Sequence, residues 1–316
     1  MYIEPYTTAR QSVWDDFVAC SRNATFILSR RFMDYHSDRF PDESLLMYDS
    51  RKRLLALLPA TGCGTVVSSH AGLTYGGWIL GKSKPDVVQL LEGWRLMSDY
   101  FVSRGYDTLI YKPVPHIYHS YPSDEDLYVL FRHNAVLEAS YVSSVIDLSC
   151  PLSFNTGARR HVKRASGLGL SVSCSDDYAG FWSILSERLM ERYGTVPVHS
   201  LGEIRMLHER FPENIRLWVV RDASGEMLAG TVLFVCGRVV KAQYIASSVY
   251  GREVNAVDFL FNHLIGVAVA DGYSFFDLGH SCEDGGRSIN EGLIAQKCGY
   301  GGRAMVHSTY KISLVD

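Results

Sequence analysis

The stretch "DLGHSCEDGGRSINEGLIAQK", from Asp277 to Lys297, gathers a carboxylate, an imidazole and an amine in one short segment. Asp277 ends the apolar run "YSFF", where a bare carboxylate is costly to bury, so it must find a partner or shape a turn. His280 follows on a polar, Gly-rich loop, and imidazole is the side chain suited to moving protons near neutrality. Lys297 lies near the end of a helix-like run ahead of Cys298-Gly299, where a lysine also complements the helix dipole. Such a set could move a proton and hold a developing negative charge.

Three other groups carry possible chemistry. In "ARRHVKRAS", Arg159, Arg160, Lys163 and Arg164 recur at i, i+1, i+4 and i+5 and share one helical face, which could grip a phosphorylated or anionic acceptor or simply be solvated. "SVYGREVNA" offers Gly251, Arg252 and Asn255 ahead of a helix entered at about Ala256. That is either a phosphate cradle of exposed amides or an ordinary turn from strand to helix. Gln243 and Tyr244 stand on the strand before it and are candidates to line a channel. In "SHAGLTYGGWILGKSKPD", His70, Thr74 and Tyr75 are the polar groups, and Gly72, Gly76 and Gly77 allow close approach. His199, just ahead of Ser200, could contact an acceptor or serve the helix start.

Other chemistries lack support. His116 and His119 sit three apart in a Pro-rich loop without a nearby carboxylate or cysteine, so no metal site is expected. Seven cysteines are scattered and never spaced C-x-x-C, which suits a reducing compartment. Neither G-x-S-x-G, H-E-x-x-H nor a Walker loop is present. The formal net charge of −3 creates no global field for DNA. The N-terminus has no basic and then apolar leader, and the most apolar long run is broken by Asp258, Asn262, His263 and Asp271. These features predict a cytoplasmic protein without a membrane span.

The elements that must position these groups form an internal repeat. "VVQLLEGWRLMSDYFVSRGYDTLIY" (87–111) and "VNAVDFLFNHLIGVAVADGYSFFDL" (254–278) align at an offset of 272 − 105 = 167, through Gly105-Tyr106 and Gly272-Tyr273. Both read as a helix with apolar positions three and four apart, ended by Gly and followed by an apolar strand. Hairpin signals precede each, and a polar loop, a helix and a last strand ("SYVSSVIDL", "RAMVHSTYKISLV") follow each. Each half is therefore hairpin, helix, strand, helix, strand: a mixed sheet with packed helices, of the α/β (α+β) class. Between the halves lie the basic helix and a helix capped by Ser200 with Glu203. "DLSCPLSFNTG" breaks the periodicity near Pro151, predicting halves at 1–150 and 151–316.

That order resembles a GNAT acyltransferase core, and two in tandem resemble the Fem-like peptidoglycan-bridge ligases and polysaccharide-locus GNAT proteins. "RRHVKRASGLGLSV" is similar to the family's basic helix before a Gly-Val strand, and "GYSFFDLGHS…NEGLIAQKCGYGG" to its Asp-x-Gly strand and lysine motif. The sequence departs from it at Gln296 and Tyr300, and it has no room for the long helical arm of many Fem ligases.

The resemblance implies acyl transfer to an amine, with Lys297 neutralising charge at the reacting ester and Asp277 and His280 beside it. It implies a donor in the second half, held near Gly251–Ala256 and Gln243-Tyr244. Acceptor contacts are expected from His70, Tyr75, Arg159, Arg160, Lys163, His199 and Asn290. Acyl-CoA is the expected co-substrate and a small-molecule amine, on an amino sugar or nucleotide sugar, the expected acceptor. Aminoacyl-tRNA as donor, and a non-catalytic binding module, are the alternatives.

Overall fold

The computed structural model describes residues 1–315. By its internal contacts the chain divides into two units. Among the described residues, the first comprises 1–141, 284–288 and the segment from 306 onward, and the second comprises 142–283 and 289–305.

In the first unit, strands Tyr2–Pro5, Leu45–Tyr48, Leu54–Leu58 and Ile79–Leu80 form one antiparallel sheet. A second group joins Thr61–Cys63, Val66–Ser68 and Thr108–Tyr111. The helix Val87–Ser103 buries Leu90, Trp94, Met97 and Phe101, a 4-3-4 spacing that places one stripe in the core. The second unit orders its strands as Val142–Asp147, Phe275–His280, Val239–Ser247, Met227–Cys236, Ile215–Arg221 and Ser171–Ser175. Its helix Ala256–Ala270 buries Leu260, Phe261, Leu264 and Ala268 in the unit's core.

The repeat is present in backbone detail. At the offset of 167, Trp94, Met97 and Phe101 correspond to Phe261, Leu264 and Ala268, all buried. Both helices end on the same pair of hydrogen bonds. Tyr106 N donates to Phe101 O at 3.0 Å and Gly105 N to Val102 O at 2.9 Å. Tyr273 N donates to Ala268 O and Gly272 N to Val269 O, both at 3.1 Å. The two glycines have φ of 89° and 77°, the left-handed backbone this ending needs. Each helix then connects two parallel strands, and the first register pairs, Val66–Thr108 and Val239–Phe275, use repeat-equivalent residues of the second strand. Within the second copy the helix begins at Ala256 rather than Val254, because a short helix, Val249–Glu253, occupies its approach.

One connection departs from the simple repeat. The last strand of the first half does not close the sheet of its own half. Its end, Val142–Asp147, belongs to the second unit and pairs with Phe275–His280, with Asp147 opposite Phe275. The chain's last strand, Arg303–Ser313, supplies its end to the first unit, where Ser313 lies opposite Thr108. Strand edges offer generic amides and carbonyls, so the order of elements along the chain does not specify which edge a closing strand takes.

Candidate functional site

The second unit holds a cleft of about 700 Å³. It opens where two parallel strands part. Val239–Ser247 and Phe275–His280 pair across Val239–Lys241 and Phe275–Asp277, and no farther. Beyond that point Ala242, Gln243 and Ala246 from one strand and Leu278, Gly279 and His280 from the other line the cleft. Both strands are irregular there. Leu233 faces Ala242 and Val232 faces Tyr244, so Gln243 is the extra residue of a bulge. Across Asp277–His280 the pairing with Val142–Asp147 also slips. Asp277, fully buried, fixes this second irregularity: its Oδ1 accepts from Ser143 Oγ and, at 2.8 Å, from the amide of Gly279. Gly279 turns at φ 79°, a conformation that suits glycine.

Lys297 comes back to this turn from the helix Glu291–Gly299. It is only 4% exposed, lines the cleft, and donates through Nζ to the carbonyls of Gly279 and His280, both at 2.8 Å. Burial pulls its pKa down to about 8, partly offset by Asp277 and Cys282. His280 also lines the cleft. Burial, then the charges of Lys241 and Lys297, lowers its pKa to about 4 against the pull of Asp277. Its imidazole is therefore neutral at pH 7, and the sequence expectation of a near-neutral titration is corrected by its burial beside two lysines.

At the other end of the cleft stands the helix Ala256–Ala270. Ser248 caps the short helix before it, accepting from Gly251 N at 3.0 Å. Gly251 packs so tightly that a Cβ there would stand 2.1 Å from the Leu228 carbonyl oxygen. Asn255 adopts φ 59° and makes no side-chain cap to the long helix, so its first-turn amides have no cap from that side chain. Arg252 reaches the Ser247 carbonyl at 3.3 Å and lies 3.8 Å from Glu191. The equivalent helix of the first half is closed: Asp86 accepts from Gln89 N, and Gln89 answers to the Asp86 amide.

Of the other residues singled out in the sequence, Gly251, Arg252, Asn255 and Gln243 line the cleft, and Ala256 begins the helix at its edge. Tyr244 points elsewhere, with its hydroxyl at His199 Nδ1 and its ring against Trp182. Neither Tyr244 nor His199 is among the cleft residues. Asn290 is the N-cap of the lysine's helix, accepting from Leu293 N at 3.0 Å. His70 and Tyr75 belong to the first unit and are buried. His70 packs on His36 and Phe40, and burial lowers its pKa to about 3; Tyr75 shares a hydrogen bond with Thr25.

The basic helix, Thr156–Ser166, meets the cleft with a different face from the expected one. Gly157, Ala158 and His161 line the cleft, whereas Arg159, Arg160, Lys163 and Arg164 are exposed. At about 100° per residue, Ala158, Val162 and Ala165 mark the packed side, Arg160, Lys163 and Arg164 fall away from it, and Arg159 lies on the flank. That apolar i, i+4, i+7 spacing is the signal that could have found His161. Arg188 and Arg192, on the helix Tyr178–Tyr193, also line the cleft, as do Asp258 and Tyr300. Nothing local in the sequence marks the two arginines, since they reach the cleft only through packing. Among the described residues, no group of three or more His, Cys, Asp or Glu side chains is placed to hold a metal. No helix among them is long and apolar enough to cross a membrane.

Residues 153–285 match the family model of the acetyltransferase (GNAT) domain. No curated protein matches the chain in sequence. Among solved structures, FemX aligns with a TM-score of 0.70 at 13% identity, covering 99% of this chain and 97% of its own. The C-terminal domain of a putative lysylphosphatidylglycerol synthetase from Agrobacterium fabrum aligns at 0.59 and 12%, covering 98% and 92%. A tandem GNAT protein from the clavulanic acid biosynthesis pathway aligns at 0.52 and 11%, covering 99% and 98%. At these identities the likeness to the three structures is one of fold.

Proposed function

We propose that the chain is a GNAT N-acyltransferase, built on the tandem fold of the Fem-like proteins, and that it moves an acyl group from acyl-CoA to an amine of an amino sugar or nucleotide-linked envelope precursor. The observation that carries this reading is the cleft. It joins a parted pair of parallel strands to the uncapped N-terminus of a helix, with Arg252, Arg188 and Arg192 around it. A helix N-terminus favours anions, and a diphosphate there would let the acyl arm run into the gap between the strands. The closed helix of the first half offers no such cradle, which supports a donor site in the second half.

In this reading the bulge at Gln243 frees backbone groups to pair with the acyl arm. Lys297 spends two of its three protons on Gly279 and His280, and the third serves the oxygen on which negative charge develops. His280, neutral at pH 7, accepts the amine's proton directly or through one water. Asp277 acts on the turn and not on the substrate.

A second reading has one observation in its favour. The exposed face of the basic helix holds Arg159, Arg160, Lys163 and Arg164, and the helix carries no carboxylate. A polyanion such as an aminoacyl-tRNA could lie along it with its acyl end in the cleft. A thermal-shift and calorimetric screen with acetyl-CoA, longer acyl-CoAs, UDP-amino sugars and aminoacyl-tRNA separates the two. Stabilisation by an acyl-CoA, with thiol release when an amino sugar is added, is expected. Binding of aminoacyl-tRNA without any response to acyl-CoA would overturn the first reading.

A further inference from the structure

We infer that His161 contacts the donor's diphosphate and that Asp258 is the positioning residue that holds it there, an inference that rests on the acyl-CoA reading of the cleft. Asp258 is the third residue of the helix Ala256–Ala270. In two other helices of this chain the side chain at that position folds back to close the helix start. Gln89 accepts from the Asp86 amide at 3.2 Å and Glu203 from the Ser200 amide at 2.7 Å. Asp258 instead turns away from its helix. Its Oδ1 meets His161 Nδ1 at 3.2 Å, and burial together with the same carboxylate raises the pKa of the nearby Tyr300 hydroxyl. Tyr300 is fixed in turn: its ring stacks between Phe154 and Phe261, and Gln296 Nε2 donates to its oxygen at 2.8 Å. His161, Asp258, Gln296 and Tyr300 all line the cleft.

The arrangement resolves a conflict of charge. A carboxylate in the first turn suits the helix dipole but would repel a phosphate bound to the same amides. Diverting it to His161 leaves the amides open and gives the carboxylate its own donor. A carboxylate only accepts, so His161 presents its Nδ1 proton to Asp258. The side chain of His161 remains about half exposed, and its Nε2 side serves the ligand. A phosphate oxygen there would set the imidazole between two anionic groups.

The two roles open to Asp258 differ in sign, which makes the test decisive. Calorimetry of coenzyme A and of inorganic pyrophosphate is run on the wild type, His161→Gln, Asp258→Asn and the double variant. Each single change is expected to weaken both probes by about tenfold or more. Asp258→Asn should add no further loss in the His161→Gln background, because it acts through that residue. Tighter binding by Asp258→Asn would mean that the carboxylate merely repels, and unchanged binding by His161→Gln would remove the contact; either overturns the inference. Pyrophosphate binding without coenzyme A binding would discard the acyl-CoA reading and leave His161 to be judged on pyrophosphate. If neither probe binds the wild type, both proposals fall. Should Asp258→Asn lose its thermal transition, the half-exposed His161→Gln decides alone.

Discussion

Replacing Lys297 with Met separates the cation's part in catalysis from its part in the fold. Bringing the pKa from 10.5 to about 8 corresponds to (10.5 − 8) × ~1.36, or about 3 kcal/mol paid to bury the charge. Against that stand two hydrogen bonds from a charged donor at 2.8 Å, each contributing about 1.5–3 kcal/mol. The bonds match the burial cost or exceed it by up to about 3 kcal/mol, so Lys297→Met should fold with its melting temperature lowered by no more than about 10 °C. Catalysis has no such offset. Loss of charge stabilisation at a developing oxyanion commonly costs about 3–4 kcal/mol, so turnover should fall roughly a hundredfold or more while donor affinity holds. The assay is initial-rate thiol release alongside donor calorimetry. The lowered pKa adds a signature. The wild-type rate should fall as pH rises through about 8, where the ammonium loses its proton. Stability should move the other way, because between pH 8 and 10.5 the unfolded lysine holds a proton that the folded one has lost. Turnover within a few-fold of wild type in the variant, with both carbonyls of the turn still in place, would refute the catalytic role and leave Lys297 as a clamp on Gly279 and His280.

Arg252→Glu should weaken acyl-CoA binding by about 1–3 kcal/mol in calorimetry, and unchanged affinity would place the donor elsewhere. His280→Ala should lower kcat and remove an acidic limb of the pH–rate profile near pH 4; a limb lost near pH 7 would contradict the burial of this imidazole. Arg160 and Lys163 changed together to Ser should leave the Michaelis constants for acyl-CoA and a small amine unmoved, since both residues lie off the cleft. A raised acceptor constant would restore them to the site. Gly251→Ala should destabilise the fold by about 1–3 kcal/mol in denaturant titration, because its Cβ would overlap the Leu228 carbonyl.

The parts of this fold that were legible in the sequence are those that local periodicity writes. The stripe Leu90–Trp94–Met97–Phe101 and its counterpart ending at Ala268 are visible as spacing, and Gly105 and Gly272 as stops, because helix burial and helix termination are decided within one segment. The strand exchange was not legible. Val142–Asp147 and the end of Arg303–Ser313 read as strands, but a strand's partner depends on which edge lies open in the folded chain.

The same division runs through the site. Lys297 and Asp277 stand out in the sequence as a lone cation and a lone carboxylate against apolar neighbours, and the structure buries both. The basic helix misled because charge is conspicuous and packing is not. Its four cations draw attention to one face, while two alanines and a valine quietly determine that the other face is packed. His161 rides on that packed side, and its partner Asp258 lies 97 residues away on another helix. Tyr244 is turned from the cleft for a related reason: its hydroxyl meets His199 and its ring meets Trp182, and both partners lie far from it in the chain. A charged group therefore marks chemistry only once the apolar residues around it have fixed its direction, and those residues are the better first guide to which face of an element meets a cleft.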